Sequence, residues 1–414
     1  MFDSCSHCTI TDGTERSLLS DKLLDMTSLD TDPPTFIAPV YEKFEYIDDP
    51  ATGVELETTD SDDRITEPFD PTMLRIETKP LTLDLLILRL QYSEIDLAPS
   101  FQRQGGIWKD LTQSRLIESI LIRIPLPAFY FDATDNDRWL VVDSQQRLAT
   151  LKRFVIDKDL RLSGLEFLDH LNGKGYDDLH RSFQRRILET QVTVNLIEEG
   201  TPSRVKFDIF KRINTGRLPL SAQEIRHALN QGKAAELLVE LVGSEEFKRA
   251  TDNGIRGTRM DDRECVLRFL SFTLVPYTRY KDTNLDSFLN ERMSDINKMS
   301  DQDIEHLRRQ FLRAIAAAFD IFGTDAFRKR YAITARRYPI SKALFEAWSV
   351  NLSRLDDDQL HLLYERRKDL IQRFVSLMAE DGDFDNAISQ GTGNARKVYI
   401  RFSAIERIIG EVLR

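Results

Sequence analysis

Trp139-Leu140-Val141-Val142-Asp143-Ser144-Gln145-Gln146-Arg147-Leu148-Ala149-Thr150 decides the fold of the first half of this chain. Its apolar opening predicts a short strand over 139–142 that stops at Asp143. A polar turn over 144–146 follows. A helix then opens at Arg147 and carries Leu148, Leu151, Phe154 and Val155 at helical spacing. A strand that hands over to a helix through a small polar turn gathers unpaired backbone N–H groups at one point. The helix dipole adds partial positive charge there, which suits an anion such as phosphate. Arg147 would add a planar fork of donors, and Asp143 a carboxylate able to hold a metal ion. The plainer reading of the same residues is a helix start capped by Asp143 or Ser144.

Upstream of this stretch the pattern is strand, helix, polar loop, helix, strand. Ile76-Glu77-Thr78-Lys79 reads as a strand, and Thr82 is placed to cap a short helix that runs to Leu90. A brief strand at 95–97 precedes Gln102-Arg103-Gln104-Gly105-Gly106, a loop anchored by Trp108. Residues 112–122 are amphipathic, with Leu116, Ile117, Ile120 and Leu121 on one face. Pro125 and Pro127 end that helix, and 128–132 reads as a strand leading through the turn at 135–137 into the opening stretch. Two Gln-Arg pairs, at 102–103 and 146–147, therefore stand at the edges of one mixed core. Two arginine forks able to meet on one anion strengthen the phosphate reading.

The chain has 414 residues, 41% hydrophobic and 30% charged, enough for two or three domains with a substantial core. No apolar run is long enough to cross a bilayer, and the N-terminus lacks the charge and apolar pattern of a signal peptide. Three cysteines do not make a disulfide framework, which fits a reducing, cytoplasmic setting. The net charge of -11 is unevenly placed: residues 1–70 carry 18 acidic and 4 basic residues, and the other 344 carry 50 and 53. The body is near neutral, so the acidic total does not argue against a phosphate-bearing ligand. Residues 1–70 read as an acidic leader without a stable fold, in which 39–47 has strand character. Cys5 and Cys8 flank His7, but a structural zinc site needs four ligands and the remaining cysteine, Cys265, sits in an apolar helical context.

Pro99-x-Phe101-Gln102-Arg103 with Trp108 after it, the segment 116–127, and Val141-Val142-Asp143-Ser144-Gln145-Gln146-Arg147-Leu148-x-Thr150-Leu151 together resemble the GmrSD-type N-terminal domain. That domain belongs to the ParB/sulfiredoxin-like superfamily and usually carries Asp-Gly-Gln-Gln-Arg. Two further blocks, 210–226 and 260–270, resemble the family in the same order, so the likeness runs roughly over 75–414. It implies an α+β protein, with a compact ParB/sulfiredoxin-like mixed core at 71–230 followed by a mostly α-helical domain at 231–414. It further implies a nucleotide-binding domain that in relatives hydrolyses nucleoside triphosphates and serves restriction of foreign DNA. The partner in such systems is an HNH nuclease domain. None of the six histidines here sits in an Asp-His-x-x-Pro setting, so the nuclease is expected on a separate subunit. One departure falls at the key site. Ser144 stands where glycine is usual; serine resists positive φ but offers a hydroxyl, which bears on hydrolysis more than on binding.

On this reading Gln102, Arg103, Ser144, Gln145, Arg147 and Asn214 bind the triphosphate. Asp143 coordinates Mg²⁺ or orients water, Gln146 positions the attacking water, and Arg147 neutralises charge on the transferring phosphoryl group. Downstream, 203–213 reads as a helix and Ser221 with Glu224 as a capping box. Gly216 alternatively marks only a helix end, in which case Asn214 is a turn residue. From 234 onward the helical runs are 234–242, 263–275, 285–290, 301–322, 340–352, 358–378 and 398–413, with 382–394 a surface loop. Arg308, Arg309, Arg313, Arg328, Lys329, Arg330, Arg336 and Arg337, interleaved with Tyr331 and Tyr338, form a candidate DNA-binding patch or a solvated basic face. Two further classes remain: a non-hydrolysing adaptor that binds nucleic acid or a partner, and a sulfiredoxin-like redox enzyme. The second lacks a cysteine in the turn where its chemistry would sit.

Overall fold

The computed structural model describes residues 53–55, 57, 74–97, 108–213, 221–281, 284–333 and 337–414. The candidates at Cys5, His7 and Cys8, the strand-like 39–47, Gln102, Arg103, Asn214 and Arg336 lie outside the described residues. The fold is α+β. Strands β1 (Ile76–Thr82), β2 (Ile95–Asp96), β3 (Phe129–Asp132), β4 (Trp139–Asp143) and β5 (Gln191–Ile197) make one mixed sheet in the order β1-β5-β3-β4-β2. β1 pairs antiparallel with β5, β5 parallel with β3, β3 antiparallel with β4, and β4 parallel with β2. Pro80 lies inside β1, which the sheet tolerates because β1 is an edge strand with one free side.

Side-chain alternation sorts the strands into two faces. Phe129, Phe131, Trp139, Val141, Val194 and Leu196 point to one cluster; Val142 and Ile197, with Tyr130 beside them, point to another. The first face is covered by α1 (Leu83–Gln91), α2 (Asp110–Leu121), α3 (Gln145–Leu151) and α4 (Arg181–Glu189). α1 buries Leu83, Leu86, Ile87 and Leu90, the i, i+3, i+4, i+7 stripe of an amphipathic helix. α3 runs on through a π-helical turn, Lys152–Ile156, which buries Phe154 and Val155. The second face carries α5 (Ser203–Ile213) and α6 (Ala222–Leu229). The capping box read at α6 is formed in full, with Ser221 and Glu224 each accepting from the other's backbone N–H.

The rest is helical: α7 (Lys233–Gly243), α8 (Glu245–Thr251), α9 (Asp261–Leu274), α10 (Leu285–Asn297), α11 (Asp301–Phe322), α12 (Lys342–Ser353), α13 (Asp357–Glu365), α14 (Arg367–Glu380), α15 (Gly382–Ser389) and α16 (Ala395–Leu413). They share one apolar core in which Trp348 is almost fully buried. Three expectations are corrected. The run 358–378 is two helices that break at Arg366, and α8 was not anticipated. The segment 382–394 is no surface loop over its first half, because α15 buries Phe384, Ala387 and Ile388 on the core. Nor does the leader stay apart up to residue 70: Val54 pairs in parallel with Ile340, and Glu55 and Glu57 meet cations of the helical body.

A chain of buried charges ties these helices together. Arg226 on α6 meets Asp286 on α10 at 2.7 Å and Glu264 on α9 at 3.3 Å. Glu264 also meets Arg268 at 2.7 Å and Lys342 at 3.3 Å. Arg401 on α16 pairs with Glu346 on α12, both wholly buried. Despite burial, Glu264 is held well below the usual carboxylate range by Lys342, Arg268 and Arg226. No helix among the described residues is long and apolar enough to cross a membrane.

Candidate functional site

β2 and β4 are parallel neighbours, and both chain segments leave the sheet at the same edge. The carboxyl end of parallel strands is where open α/β sheets bind ligands, because helix N-termini and loops gather there. Here that edge carries Asp143, Ser144 and the start of α3 from β4, and Leu97 from β2.

The helix begins at Gln145, two residues earlier than expected, so Ser144 alone makes the turn. It does so in the left-handed region, at φ 84° and ψ 12°. An L-residue other than glycine costs roughly 1–2 kcal/mol in that region. Serine thus adopts the backbone that the family's glycine would supply, at the cost of that strain. The plainer reading, a side-chain cap, is not what is built: neither Asp143 nor Ser144 caps α3, and the first helical bond is from Leu148 N–H to the Ser144 carbonyl at 2.9 Å. The N–H groups of Gln145, Gln146 and Arg147 precede that bond.

Arg147 turns inward. Its guanidinium donates to the carbonyls of Pro127 and Ala128 (3.1 Å for the latter), to the Ser144 hydroxyl and to Asp143 at 3.2 Å, and it lies 4.4 Å over the Phe129 ring. It is 8% exposed. Burial lowers its proton affinity and Asp143 opposes the shift. The fork expected to face an anion is therefore spent on the backbone that leads into β3. Pro125 and Pro127 cannot donate a backbone N–H, so Arg147 meets a run of acceptors there. Asp143 is the outward group, with its side chain 39% exposed and Tyr130 opposite it across a β3–β4 register shift.

The two glutamines reach sideways. Gln145 donates through Nε2 to the Leu97 carbonyl, and Gln146 accepts through Oε1 from the Trp108 N–H at 3.1 Å. Leu97 and Trp108 are the described residues on either side of the segment that carries Gln102 and Arg103. Both ends of that segment are thus fastened to adjacent residues of the turn. Gln113 accepts from Arg153 at 3.0 Å and donates to the Trp108 carbonyl at 2.7 Å, which fixes the second end again. The sequence marks Trp108 as the anchor of that loop; Leu97 it does not single out. Asn214 follows Ile213, which packs in the same cluster as Val142 and Tyr130.

A Mg²⁺ ion here would have Asp143 as its carboxylate ligand. No group of three His, Cys, Asp or Glu gathers among the described residues, and Mg²⁺ sites on phosphates commonly use one or two carboxylates with substrate oxygens and water.

The basic patch does not form one surface. Arg328 and Lys329 are buried, Arg328 donating to the Tyr338 carbonyl at 2.7 Å and Lys329 pairing with Glu55. Burial pushes Arg328 down to about 10, and Arg337 adds to the shift. Arg308 pairs with Glu240 and Glu305, Arg313 with Asp357, Arg330 with Asp325, and Arg337 with Asp252 and Asp325. Arg309 is the most open of the described set, 3.8 Å from Glu305. Sequence adjacency of like charges concealed partners, some close by (Glu305, Asp325) and some from distant helices (Glu240, Asp357).

Residues 87–230 match the family model described as GmrSD restriction endonuclease, N-terminal domain. The resemblance carried by the motifs holds over these residues, which include the whole of the turn, both loop anchors and α6. The match ends before the block at 260–270. No curated protein and no solved structure matches the chain.

Proposed function

We propose, from the GmrSD-type domain at residues 87–230, that the chain is the nucleoside-triphosphate-binding part of a restriction-type defence or DNA-linked regulatory system. The nuclease would be a separate partner. The observation that carries this reading is the tethering of Leu97 and Trp108 to the Gln145–Gln146 pair beside an outward Asp143. Leu97 and Trp108 are the described residues that flank Gln102 and Arg103 in the sequence. Asp143 would hold Mg²⁺ on the phosphates, and the N–H groups of the α3 start would donate hydrogen bonds to the phosphate oxygens. Arg103 would supply the charge that Arg147, turned inward, does not. Gln146 would position water only if it released Trp108.

Titration of the purified chain with each of the four triphosphates, with Mg²⁺, tests this against Asp143→Asn. Wild type should bind at least one, and the variant should lose roughly tenfold in affinity, the scale of one charge-assisted contact of about 1.4 kcal/mol. Equal binding by both, or binding by neither, overturns the reading. A second reading, a site that binds without turnover and serves an adaptor for nucleic acid or a partner, is favoured by the engagement of Arg147 and Gln146 in the fold. Saturable binding without phosphate release would select it.

A further inference from the structure

Gln145 and Gln146 stand side by side at the start of α3, and each spends one end of its side-chain amide on a backbone group of fixed polarity. The Leu97 carbonyl can only accept, so it meets Gln145 Nε2. The Trp108 N–H can only donate, so it meets Gln146 Oε1, at 3.1 Å. The oxygen and nitrogen of an amide are told apart by what they touch, and here backbone partners fix both. The ends left over are therefore opposite in kind. Gln145 keeps its oxygen, an acceptor, and Gln146 keeps its nitrogen, a donor. Neither of these ends has a partner among the described residues, and both residues are half-buried.

The other polar groups of the turn divide the same way. The N–H groups of Gln145, Gln146 and Arg147 precede the first helical bond and are donors. Asp143 adds an outward carboxylate. An ionised phosphate offers acceptor oxygens, so it suits those N–H groups and Gln146 Nε2. Asp143 and Gln145 Oε1 are acceptors and need something else. The charged carboxylate suits a cation, whereas the neutral amide oxygen suits an O–H group. Next to a phosphate seated on the N–H of Gln145 itself, the O–H group that this residue's own side chain meets is water. Orienting a water in this way is the part a glutamine plays in several phosphoryl-transfer sites.

We propose that Gln145, not Gln146, orients the attacking water through Oε1, and that Gln146 donates through Nε2 to an oxygen of the terminal phosphate. This rests on the reading of the turn as a triphosphate site. The water oxygen forms its bond to the terminal phosphorus as the bond from that phosphorus to the bridging oxygen breaks. The diphosphate leaves with the electron pair, and one proton of the water passes to an oxygen of the released phosphate. Gln145 takes no proton. Both glutamines act with their backbone bonds intact, whereas Gln146 could turn its oxygen to water only by giving up Trp108.

Two substitutions separate the ends. Gln145→Lys keeps a donor for the Leu97 carbonyl and offers no acceptor; Gln146→Glu keeps an acceptor for the Trp108 N–H and offers no donor. Binding of each of the four ribonucleoside triphosphates with Mg²⁺, and phosphate release in a single turnover, are measured on the full chain for wild type and both variants. Gln145→Lys should bind at least as tightly as wild type, with a cation added beside the phosphates, and should release phosphate at least about tenfold more slowly. Gln146→Glu should bind at least about tenfold more weakly, while the Trp108 amide keeps its protection in hydrogen exchange. Release by Gln145→Lys at the wild-type rate overturns the proposal. So does slower release with weaker binding, which marks Gln145 as a tether only. Wild-type affinity in Gln146→Glu overturns the part given to Gln146. Binding by wild type without release overturns the water assignment and leaves the triphosphate site standing. No binding by wild type overturns the site itself, and the proposal with it.

Discussion

Gln146 and Trp108 are 38 residues apart, and the Gln146 side-chain oxygen accepts the Trp108 N–H at 3.1 Å. One side chain of the motif thereby sets the end of a loop it does not belong to. Gln146→Ala removes the acceptor and leaves α3 in place. The Trp108 amide should lose protection in hydrogen exchange by about five- to tenfold, one neutral hydrogen bond of about 1 kcal/mol. Amides of β5 should not change. An unchanged Trp108 rate would show that Gln113 alone holds that end.

Ser144 combines a strained backbone with a useful hydroxyl, and substitutions separate the two. Ser144→Gly relieves the left-handed strain and loses the bond from Arg147, changes of similar size near 1 kcal/mol that offset each other. Ser144→Ala keeps the strain and loses the bond, so it should destabilise by about 1–2 kcal/mol. Urea unfolding of the two variants beside wild type gives the order.

Arg147 is expected to govern stability before it governs any chemistry. Arg147→Ala takes the Arg147 donor from the Pro127 carbonyl, leaves the Ala128 carbonyl only the Ser144 hydroxyl, and strips the Phe129 ring, a loss of about 3 kcal/mol on the scale of broken buried charged contacts. Thermal melts should show this with no nucleotide present. A melt like that of wild type would return Arg147 to the role first read for it.

Arg401 and Glu346 are both wholly buried and paired. Arg401→Met should cost about 3–5 kcal/mol, because Glu346 is left buried and charged. Arg401→Met with Glu346→Leu should cost clearly less than the two single changes added. Additive losses in denaturant titrations would mean that the pair is not coupled.

His227 is buried, and burial with Arg263 beside it pushes its pKa down to about 4 from 6.5. The unfolded chain then takes up a proton that the folded chain refuses. The stability from the neutral ring is fully present above pH 6.5 and is lost as the pH falls toward 4. The drop in melting temperature between pH 7.5 and pH 4.5 should be smaller in His227→Gln than in wild type. Equal drops would place the ring in contact with solvent.

Elements whose signals are local were legible. The helices over 203–213 and 301–322 were read at their observed limits, and the capping box at Ser221 stood in the sequence. At α15, three glycines nearby and a run of Asp masked Phe384, Ala387 and Ile388, which do recur at helical spacing. What stayed hidden depended on pairing over long distances. Arg147 turns inward because β3 lies antiparallel to β4 and brings Pro127 and Ala128 beside it. Lys329 looked like part of a basic surface because its partner, Glu55, is 274 residues away. The identity of the turn could be read, but not the direction in which each of its side chains points.

β2 is two residues long, pairs only through Ile95 and Asp96, and is held otherwise by the Trp139 N–H on the Glu94 carbonyl and by Arg138 on Asp96 at 2.6 Å. Such a strand can fray while the rest of the sheet keeps its native pairing, at a small fraction of the free energy of global unfolding. Gln145 grips the carbonyl of Leu97, the residue directly after it. Gln145 thus holds a residue next to a strand only two residues long, and Gln146 holds Trp108, packed against the core. Leu97 is tied by one side chain, Gln145, and Trp108 by two, Gln146 and Gln113.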